Sequence, residues 1–322
     1  MAGERRILVT GASGFIGSAL VPALRAAGHA ARRAVRRLAE QHSPEGETAA
    51  VGDIDETTDW TEALRDIEIV VHLAARTHVL HETASDPLAA YRRVNVEGTR
   101  RLATQAAAAG VHRLVFLSSI KVNGERTFSR PYTEDDTPQP EDAYGTTKWE
   151  AEQTLRAIGR ETGLEVVILR PPLVYGPGVK GNFLRLMRLV SRGWPLPLAS
   201  VRNQRSMVYV GNVVDAILTC IKAPAAAGRT YLVSDGHDLS TPDLVRALAR
   251  CLGVAPRLFP FPPSFLMLAA SLVGKREEAA RVLGSLQVDS SRIQRELGWR
   301  AQHAVEAGIT ETTRWFRNNS AP

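Results

Sequence analysis

Cysteine is scarce in this chain of 322 residues. Cys220 and Cys251 both fall within apolar helical patterns, and no metal-ligand spacing surrounds either of them. We therefore expect two buried thiols and no metal site.

Long apolar runs are also missing. No stretch approaches the roughly 20 apolar residues that a membrane-spanning helix needs. The apolar run from Phe259 to Val273 is interrupted by three prolines, and the apolar stretch at residues 7–9 is too short for a secretion signal. These absences predict a cytoplasmic protein without a membrane span.

Lysine occurs only five times, so arginine carries most of the formal net charge of +6. Arginine forks match the oxygen geometry of phosphate groups, and a phosphate-bearing ligand would suit this composition. The arginines are dispersed rather than gathered in a basic stripe with interleaved aromatics. Nucleic acid is therefore not an expected partner.

Short apolar runs alternate with helical patterns over the first half of the chain, which predicts right-handed crossovers and an α/β fold of the Rossmann type, with a doubly wound parallel sheet. The predicted strands are Arg5–Thr10, Ala30–Val35, Thr48–Val51, Ile67–Leu73, Arg113–Ser118 and Glu165–Leu169. The predicted helices are Phe15–Ala27, Asp86–Ala109, Tyr144–Glu161, Val210–Ile221, Pro242–Leu252 and Ala304–Phe316.

Proline and glycine cluster after Arg170, where loops and short helices are expected. We interpret residues 1–170 as a dinucleotide-binding domain and 171–322 mainly as a smaller α/β substrate lobe. Part of 206–235 is expected to pack back on the first domain.

A glycine-rich turn links the first predicted strand to the first helix: Gly11, Ala12, Ser13, Gly14, Phe15, Ile16 and Gly17. Glycines permit a tight turn and let the backbone approach a pyrophosphate, whose charge the helix N-terminus stabilises. The spacing is GxxGxxG rather than GxGxxG. Its strand–turn–helix context predicts dinucleotide binding, whereas a loop that merely requires glycine is the alternative.

Tyr144 and Lys148 lie four residues apart and therefore on one face of a helix. An ammonium group near a phenol stabilises the phenolate and lowers its pKa from about 10. This pair predicts acid–base chemistry near neutral pH. A solvated surface pair is the ordinary alternative, but the pair follows both a dinucleotide loop and Ser118-Ser119.

Together these segments resemble the extended short-chain dehydrogenase/reductase family, and within it the enzymes that act on nucleotide-activated sugars. The similarity covers nearly the whole length. The matching segments are 11–17, Gly52-Asp53-Ile54, His72-Leu73-Ala74-Ala75, Asn95-Val96, 117–124, 144–148, 170–177 and Leu297-Gly298-Trp299.

The resemblance implies a role for each matching residue. Ser119 would bond the reacting oxygen, with Ser118 as the neighbouring alternative, and Tyr144 and Lys148 would complete the catalytic set. The implied coenzyme contacts are residues 11 and 13–17, Asp53 at the adenine edge, Ile54, Leu73, Ala74, Ala75, Tyr144 and Lys148. The implied substrate contacts are Ser119, Lys121, Tyr144, Asn182 and Arg205.

Several polar residues keep a plainer interpretation. Asn95 is expected to be a structural polar residue behind the site. Tyr175 suits either packing or contact with the substrate. His78 and His81 suit the surface better than a sugar site.

Two departures from the family pattern bear on the reaction. The second strand ends in Arg36 and Arg37 without the acidic residue of NAD-preferring members, which suits the 2′-phosphate of NADP. The run from Ser118 to Gly124 ends in KVNG rather than VYG. It resembles reductases of UDP-4-keto-6-deoxy-N-acetylhexosamines that form UDP-N-acetylquinovosamine.

These features favour an NADPH-dependent 4-ketoreductase of a nucleotide sugar. A UDP-sugar 4-epimerase with tightly bound NAD is the main alternative. A 4,6-dehydratase fits less well because Ile120 and Lys121 replace its Asp-Glu pair, and an NADP-sensing protein would often lack the Tyr/Lys pair. Helices 86–109 and 144–161 suit a homodimer, but equally packing within one chain.

Overall fold

Seven parallel strands form the central sheet of this computed structural model, which describes residues 4–37, 47–77 and 86–319. Two more strands, β7 and β8, form a small parallel sheet of their own. The strands are β1 Arg6–Thr10, β2 Ala30–Val35, β3 Thr48–Ala50, β4 Ile69–His72, β5 Arg113–Leu117, β6 Glu165–Arg170, β7 Leu173–Tyr175, β8 Met207–Tyr209 and β9 Thr230–Leu232.

The order of the strands in the large sheet is β3-β2-β1-β4-β5-β6-β9. The chain winds outward in one direction from β1 to β3 and in the other from β4 to β9. This arrangement confirms the predicted Rossmann-type doubly wound sheet. It places a crevice at the carboxyl ends of β1 and β4, where such sheets bind ligands.

Helices cover both faces of the sheet. Successive strand residues point to opposite sides, so apolar strands give both faces side chains that must be buried. Ile7, Val9 and Val71 belong to one buried cluster and Leu8 and Val70 to another. The helices are α1 Phe15–Ala26, α2 Thr61–Leu64, α3 Pro87–Arg92, α4 Thr99–Ala108, α5 Ala143–Thr162, α6 Gly181–Ser191, α7 Val210–Lys222, α8 Thr241–Leu252, α9 Pro263–Leu272, α10 Arg276–Leu283, α11 Ser291–Leu297 and α12 Val305–Asn319.

The helix predicted over Asp86–Ala109 is continuous but not regular. A π-helical segment, Arg93–Gly98, separates α3 from α4. Such segments are frequent at functional sites. Here the segment carries Asn95, whose side chain is buried.

The C-terminal part has its own core, to which α6, α8 and α12 contribute Phe183, Leu248 and Phe316. The helices α6, α9 and α10 were not predicted from the sequence. The segment between α6 and α8 returns to the large sheet. There α7 packs against α1, and β9 pairs with β6.

The two cysteines differ in burial. Cys220 on α7 is fully buried, and burial raises the pKa of its thiol to about 12. The expected burial of Cys251 was wrong. Its residue is only half-buried because it lies at the edge of α8, with Sγ 3.6 Å from Thr310 Oγ1.

The described residues contain no cluster of His, Cys, Asp or Glu that could hold a metal. Within the same ranges, no helix is long and apolar enough to cross a membrane.

Candidate active site

The glycine-rich turn packs backbone against backbone at the crevice. Gly11 has a φ of +66°, and a Cβ there would lie 2.8 Å from the Ala74 backbone nitrogen. A Cβ on Gly17 would lie 2.2 Å from the Gly11 oxygen. Gly14 caps α1 without a side-chain hydrogen bond, so no capping side chain satisfies the first amides of the helix. This geometry fits a pyrophosphate.

A buried histidine holds the opposite wall of the crevice. Thr10 Oγ1 lies 2.6 Å from His72 Nδ1 and accepts a hydrogen bond of 3.2 Å from the Ala74 amide. Burial lowers the pKa of His72 to about 3, so the ring is neutral. The predicted cofactor residues Leu73 and Ala75 flank this anchored amide.

The end of β2 is basic and open to solvent, as the sequence indicated. Arg36 Nε lies 3.2 Å from Asp53 Oδ1, and both side chains are more than four-fifths exposed. Exposed ion pairs contribute little, so this contact can be exchanged for a ligand. Arg37 is exposed, and Ile54, which follows Asp53 in the sequence, is half-buried.

Tyr144 lies in the first turn of α5, where Asp142 caps the helix by accepting a 2.7 Å hydrogen bond from the Gly145 amide. Burial and the charge of Asp142 raise the pKa of the Tyr144 phenol, and a hydrogen bond from Ser119 opposes them. The expected lowering of this pKa was wrong for the protein by itself, because desolvation and the charge of Asp142 together outweigh the hydrogen bond from Ser119.

Lys148 is buried and lies one helical turn after Tyr144 on α5. Its Nζ lies 3.9 Å from the centroid of the Phe116 ring. Burial lowers the pKa of Lys148 to about 7, although the charge of Glu152 opposes the shift. The lysine therefore changes charge near neutral pH, where it can assist proton transfer.

The two adjacent serines have different partners. Ser118 donates a 2.5 Å hydrogen bond to Glu152 Oε1, which also accepts from Arg170 Nε at 2.9 Å. Ser119 instead bonds to Tyr144. The geometry thus brings Ser119, and not Ser118, to the phenol.

A cavity of about 390 Å³ opens in front of Ser119 and Tyr144. It lies between the carboxyl ends of β5 and β6 and the helices α6, α8 and α10. The predicted substrate residues Ser119, Lys121, Tyr144, Asn182 and Arg205 all line it.

Two of the charged residues that line the cavity, Glu125 and Arg281, were not predicted. Glu125 bonds Lys121 Nζ at 2.7 Å and Arg281 Nε at 2.8 Å. Arg205 donates to the carbonyl oxygens of Arg281 and Gly284 at 2.6 and 3.1 Å, so its guanidinium is held toward the cavity wall. No local pattern marks Glu125 or Arg281, because 156 residues separate them.

The remaining candidates have structural surroundings. Asn95 bonds the backbone of Arg76 and Thr147 Oγ1, which ties the π-helical segment to α5. Tyr175 is fully buried and donates to Asp235 Oδ2 at 2.8 Å, so it is a packing residue. His78 and His81 lie outside the described residues.

A family profile described as the NAD dependent epimerase/dehydratase family matches residues 7–234. The chain belongs to this family. The extended short-chain dehydrogenase/reductase resemblance drawn from the motifs is thereby confirmed, and the chain is an enzyme of the epimerase/dehydratase type.

Sequence similarity to relatives extends over nearly the whole chain. The chain is 44% identical over 97% of its length to a UDP-glucose 4-epimerase of Vibrio cholerae, 95% of which is covered. It is 27% identical, over 96% of its length and 94% of the relative, to an Escherichia coli O157:H7 4-epimerase of N-acetyl-alpha-D-glucosaminyl-diphospho-ditrans,octacis-undecaprenol.

The fold matches solved members. A structure described as MoeE5 in complex with UDP-glucuronic acid and NAD superposes with a TM-score of 0.78 at 29% identity, covering 97% of this chain and 99% of that one. A Thermotoga maritima UDP-glucose 4-epimerase with UDP-glucose shares the fold, with a TM-score of 0.78 at 23% identity over 98% of this chain and all of that one.

Proposed function

We propose that this enzyme is a UDP-sugar 4-epimerase. In this reaction, C4 of the sugar loses a hydride and then regains it on the opposite face. The observation that carries the proposal is the cavity in which Ser119 and Tyr144 meet Lys121, Asn182 and Arg205. The full-length similarity to a UDP-glucose 4-epimerase supports this choice of reaction.

The residues of the crevice suit a nicotinamide dinucleotide. At Gly11 and Gly17 the turn leaves no room for a Cβ, and the N-terminus of α1, which has no side-chain cap, suits the pyrophosphate. Asp53 would meet the adenine edge, and Lys148 the nicotinamide ribose. When bound, the oxidised coenzyme supplies a positively charged ring that accepts hydride and later returns it.

Within the chain, Tyr144 is the group that exchanges the proton of the sugar O4. It takes this proton as C4 loses hydride, and it gives the proton back when hydride returns to the other face of C4. Ser119 bonds the same oxygen and holds it at the phenol. A protonated Lys148 favours the phenolate that the first step requires, and its pKa of about 7 lets it serve near neutral pH.

The cations of the cavity suit the substrate diphosphate. Arg205 and Lys121 line its wall, and Arg281 lies beside them on α10. Charge-assisted contacts of this kind are strong when partly buried. Solved relatives in complex with UDP-glucose and UDP-glucuronic acid favour UDP as the nucleotide. We infer that residues 1–170 mainly bind coenzyme and that 171–322 mainly bind substrate.

A 4-ketoreductase is the second candidate, and one observation favours it. Arg36 and Arg37 follow β2 and are exposed, and Arg36 pairs with the equally exposed Asp53. They suit the 2′-phosphate of NADPH, a coenzyme that a reductase must exchange at every turnover. A phenol with a raised pKa is also a proton donor, as reduction of a ketone requires.

The experiment measures whether turnover consumes reduced coenzyme. The purified enzyme is incubated with UDP-glucose, UDP-galactose, their N-acetylated forms and a UDP-4-keto-6-deoxy-hexosamine, and reduced nicotinamide is followed by absorbance with products identified by NMR. Interconversion of UDP-hexoses without coenzyme consumption supports the epimerase. Stoichiometric NADPH oxidation with the keto sugar alone would replace it with the reductase, and no turnover of any UDP-sugar would overturn both.

A further inference from the structure

Acidic residues are absent from two long segments of the C-terminal part. There is no Asp or Glu between Glu165 and Asp215, or between Asp243 and Glu277, so all 34 acidic residues of the chain lie elsewhere. Both segments contain arginine and lysine, although residues 258–274 contain none. The cations are Arg170, Lys180, Arg185, Arg188, Arg192, Arg202, Arg205, Arg246, Arg250, Arg257, Lys275 and Arg276.

The two segments meet in the fold. Backbone hydrogen bonds join Leu196 to Arg257 and Phe259, and Ala199 to Phe259. A Cβ on Gly193 would lie 3.8 Å from Arg257 Nε. The helices α6 and α8, one from each segment, also pack together. The segments therefore form one region without acidic residues of its own, and the nearest acidic residues along the chain at its end are Glu277 and Glu278 in the first turn of α10.

An exposed apolar strip crosses this region. Its members are Trp194, Phe259, Phe261, Phe265, Leu268, Leu272 and Val273, which are between 37 and 81% exposed. The rings of Phe261 and Phe265 are 6.3 Å apart. Along α9, positions 265, 268 and 272 lie on one helix face, while Leu266 and Met267 on the other side are half-buried. The helix itself contains no charged residue.

Cations border the apolar strip at both ends. Arg257 precedes α9 and Lys275 follows it, and both are exposed. Neither has a carboxylate within ion-pair distance in the part of the chain that the structure describes. An apolar face rimmed by cations is the pattern of segments that lie in the surface of an anionic bilayer.

We propose that this face docks on an anionic phospholipid membrane, with α9 lying in the interfacial plane. At ten residues α9 is about 15 Å long, which suits lying in the interface rather than spanning the bilayer. A second copy of the chain fits less well, because a symmetric contact through this face would bring the same cations together. The face adjoins the substrate cavity, since α10 packs on α9 and contributes Arg281 and Val282 to the lining.

The test is sedimentation of the full chain with sucrose-loaded vesicles. Vesicles of phosphatidylcholine with a third phosphatidylglycerol are compared with vesicles of phosphatidylcholine alone. We expect binding to the anionic vesicles that weakens with added salt, because the charge contribution is screened. Absence of binding, or equal binding to both vesicle types, would overturn the proposal.

Two double variants separate the apolar and charged contributions. Phe265→Ser with Leu268→Ser should weaken binding at least about tenfold. Arg257→Gln with Lys275→Gln should weaken it about thirtyfold, from two surface charges. The control, Arg65→Gln with Arg100→Gln, changes two exposed arginines outside both segments. Each pairs with a glutamate three residues before it, Glu62 or Glu97, and the variant should bind like the unaltered protein.

The remaining outcomes are also decisive. Melting curves show whether each variant is folded. The comparison of the two vesicle compositions does not depend on the variants, because it uses only the unaltered protein. If the Ser variant instead dissociates a lipid-free oligomer, as measured by light scattering, the strip is an interface between copies and the membrane proposal is wrong. Turnover of UDP-sugars in solution is measured in parallel, so failure of the proposed reaction is seen separately.

Discussion

The buried ion pair behind the site gives a prediction that links stability to chemistry. Glu152 on α5 is completely buried and accepts hydrogen bonds from Ser118, from Arg170 Nε at 2.9 Å and from Arg170 Nη2 at 2.6 Å. Substituting Glu152→Gln retains the shape of the side chain but removes its charge. The guanidinium of Arg170, only 2% exposed, is then left without a counter-charge.

Breaking one side of such a pair costs about 3–5 kcal/mol, because the remaining charge is buried without compensation. The free energy of unfolding of Glu152→Gln should fall by that amount, as measured by urea denaturation followed by circular dichroism. Glu97→Gln is the matched control, since it breaks the exposed pair with Arg100 and should cost less than about 1 kcal/mol.

Glu152→Gln should also change the pKa of Lys148 in the active site. The charge of Glu152 raises the pKa of Lys148, so its removal should lower that pKa further below about 7. With only five lysines in the chain, NMR of labelled lysine side chains can follow this titration. If Glu152→Gln is no less stable than Glu97→Gln, or if the pKa of Lys148 rises, the account of the buried pair is refuted.

Three further predictions concern the reaction and its coenzyme. Tyr144→Phe should retain coenzyme binding but lose about two to four decades of kcat; near-normal turnover would remove Tyr144 from the mechanism. Replacing Arg36 and Arg37 with Ala should weaken NADPH binding and spare NADH, and equal affinities of the unaltered enzyme for both would contradict the phosphate role. The folded pKa of Lys148, about 7, lies below its ordinary 10.5, so the unfolded chain binds more protons between these values and stability rises with pH there. Lys148→Met should remove up to about 1.4 kcal/mol per pH unit of that slope in urea titrations; an unchanged slope would contradict the burial of an uncharged lysine.

The sheet and the coenzyme turn could be predicted because their signals are local. Strands such as β1 and β4 are buried on both faces and therefore appear as unbroken apolar runs. Gly11 and Gly17 lie where any Cβ would meet backbone, which is a requirement that the chain satisfies with glycine. The α9 helix was missed because its prolines and lack of polar alternation resemble a loop.

The site was predicted in its residue types but not in its contacts. Sequence could not choose between Ser118 and Ser119, because adjacent residues carry the same motif. The fold decides, since it directs Ser118 to Glu152 and Ser119 to Tyr144. Glu125 and Arg281 meet only because α10 returns to the segment that follows β5.

The amino-acid sequence by itself determined the winding of the sheet, the glycine turn and the spacing of Tyr144 and Lys148 on one helix face. Only the tertiary structure decided the charge states of that pair. Their separation along the helix predicts attraction between an ammonium and a phenolate. Burial instead raises the pKa of Tyr144 and lowers that of Lys148 to about 7. Helix spacing is a local property, whereas desolvation depends on every element that covers a group, and the sequence does not show those elements side by side.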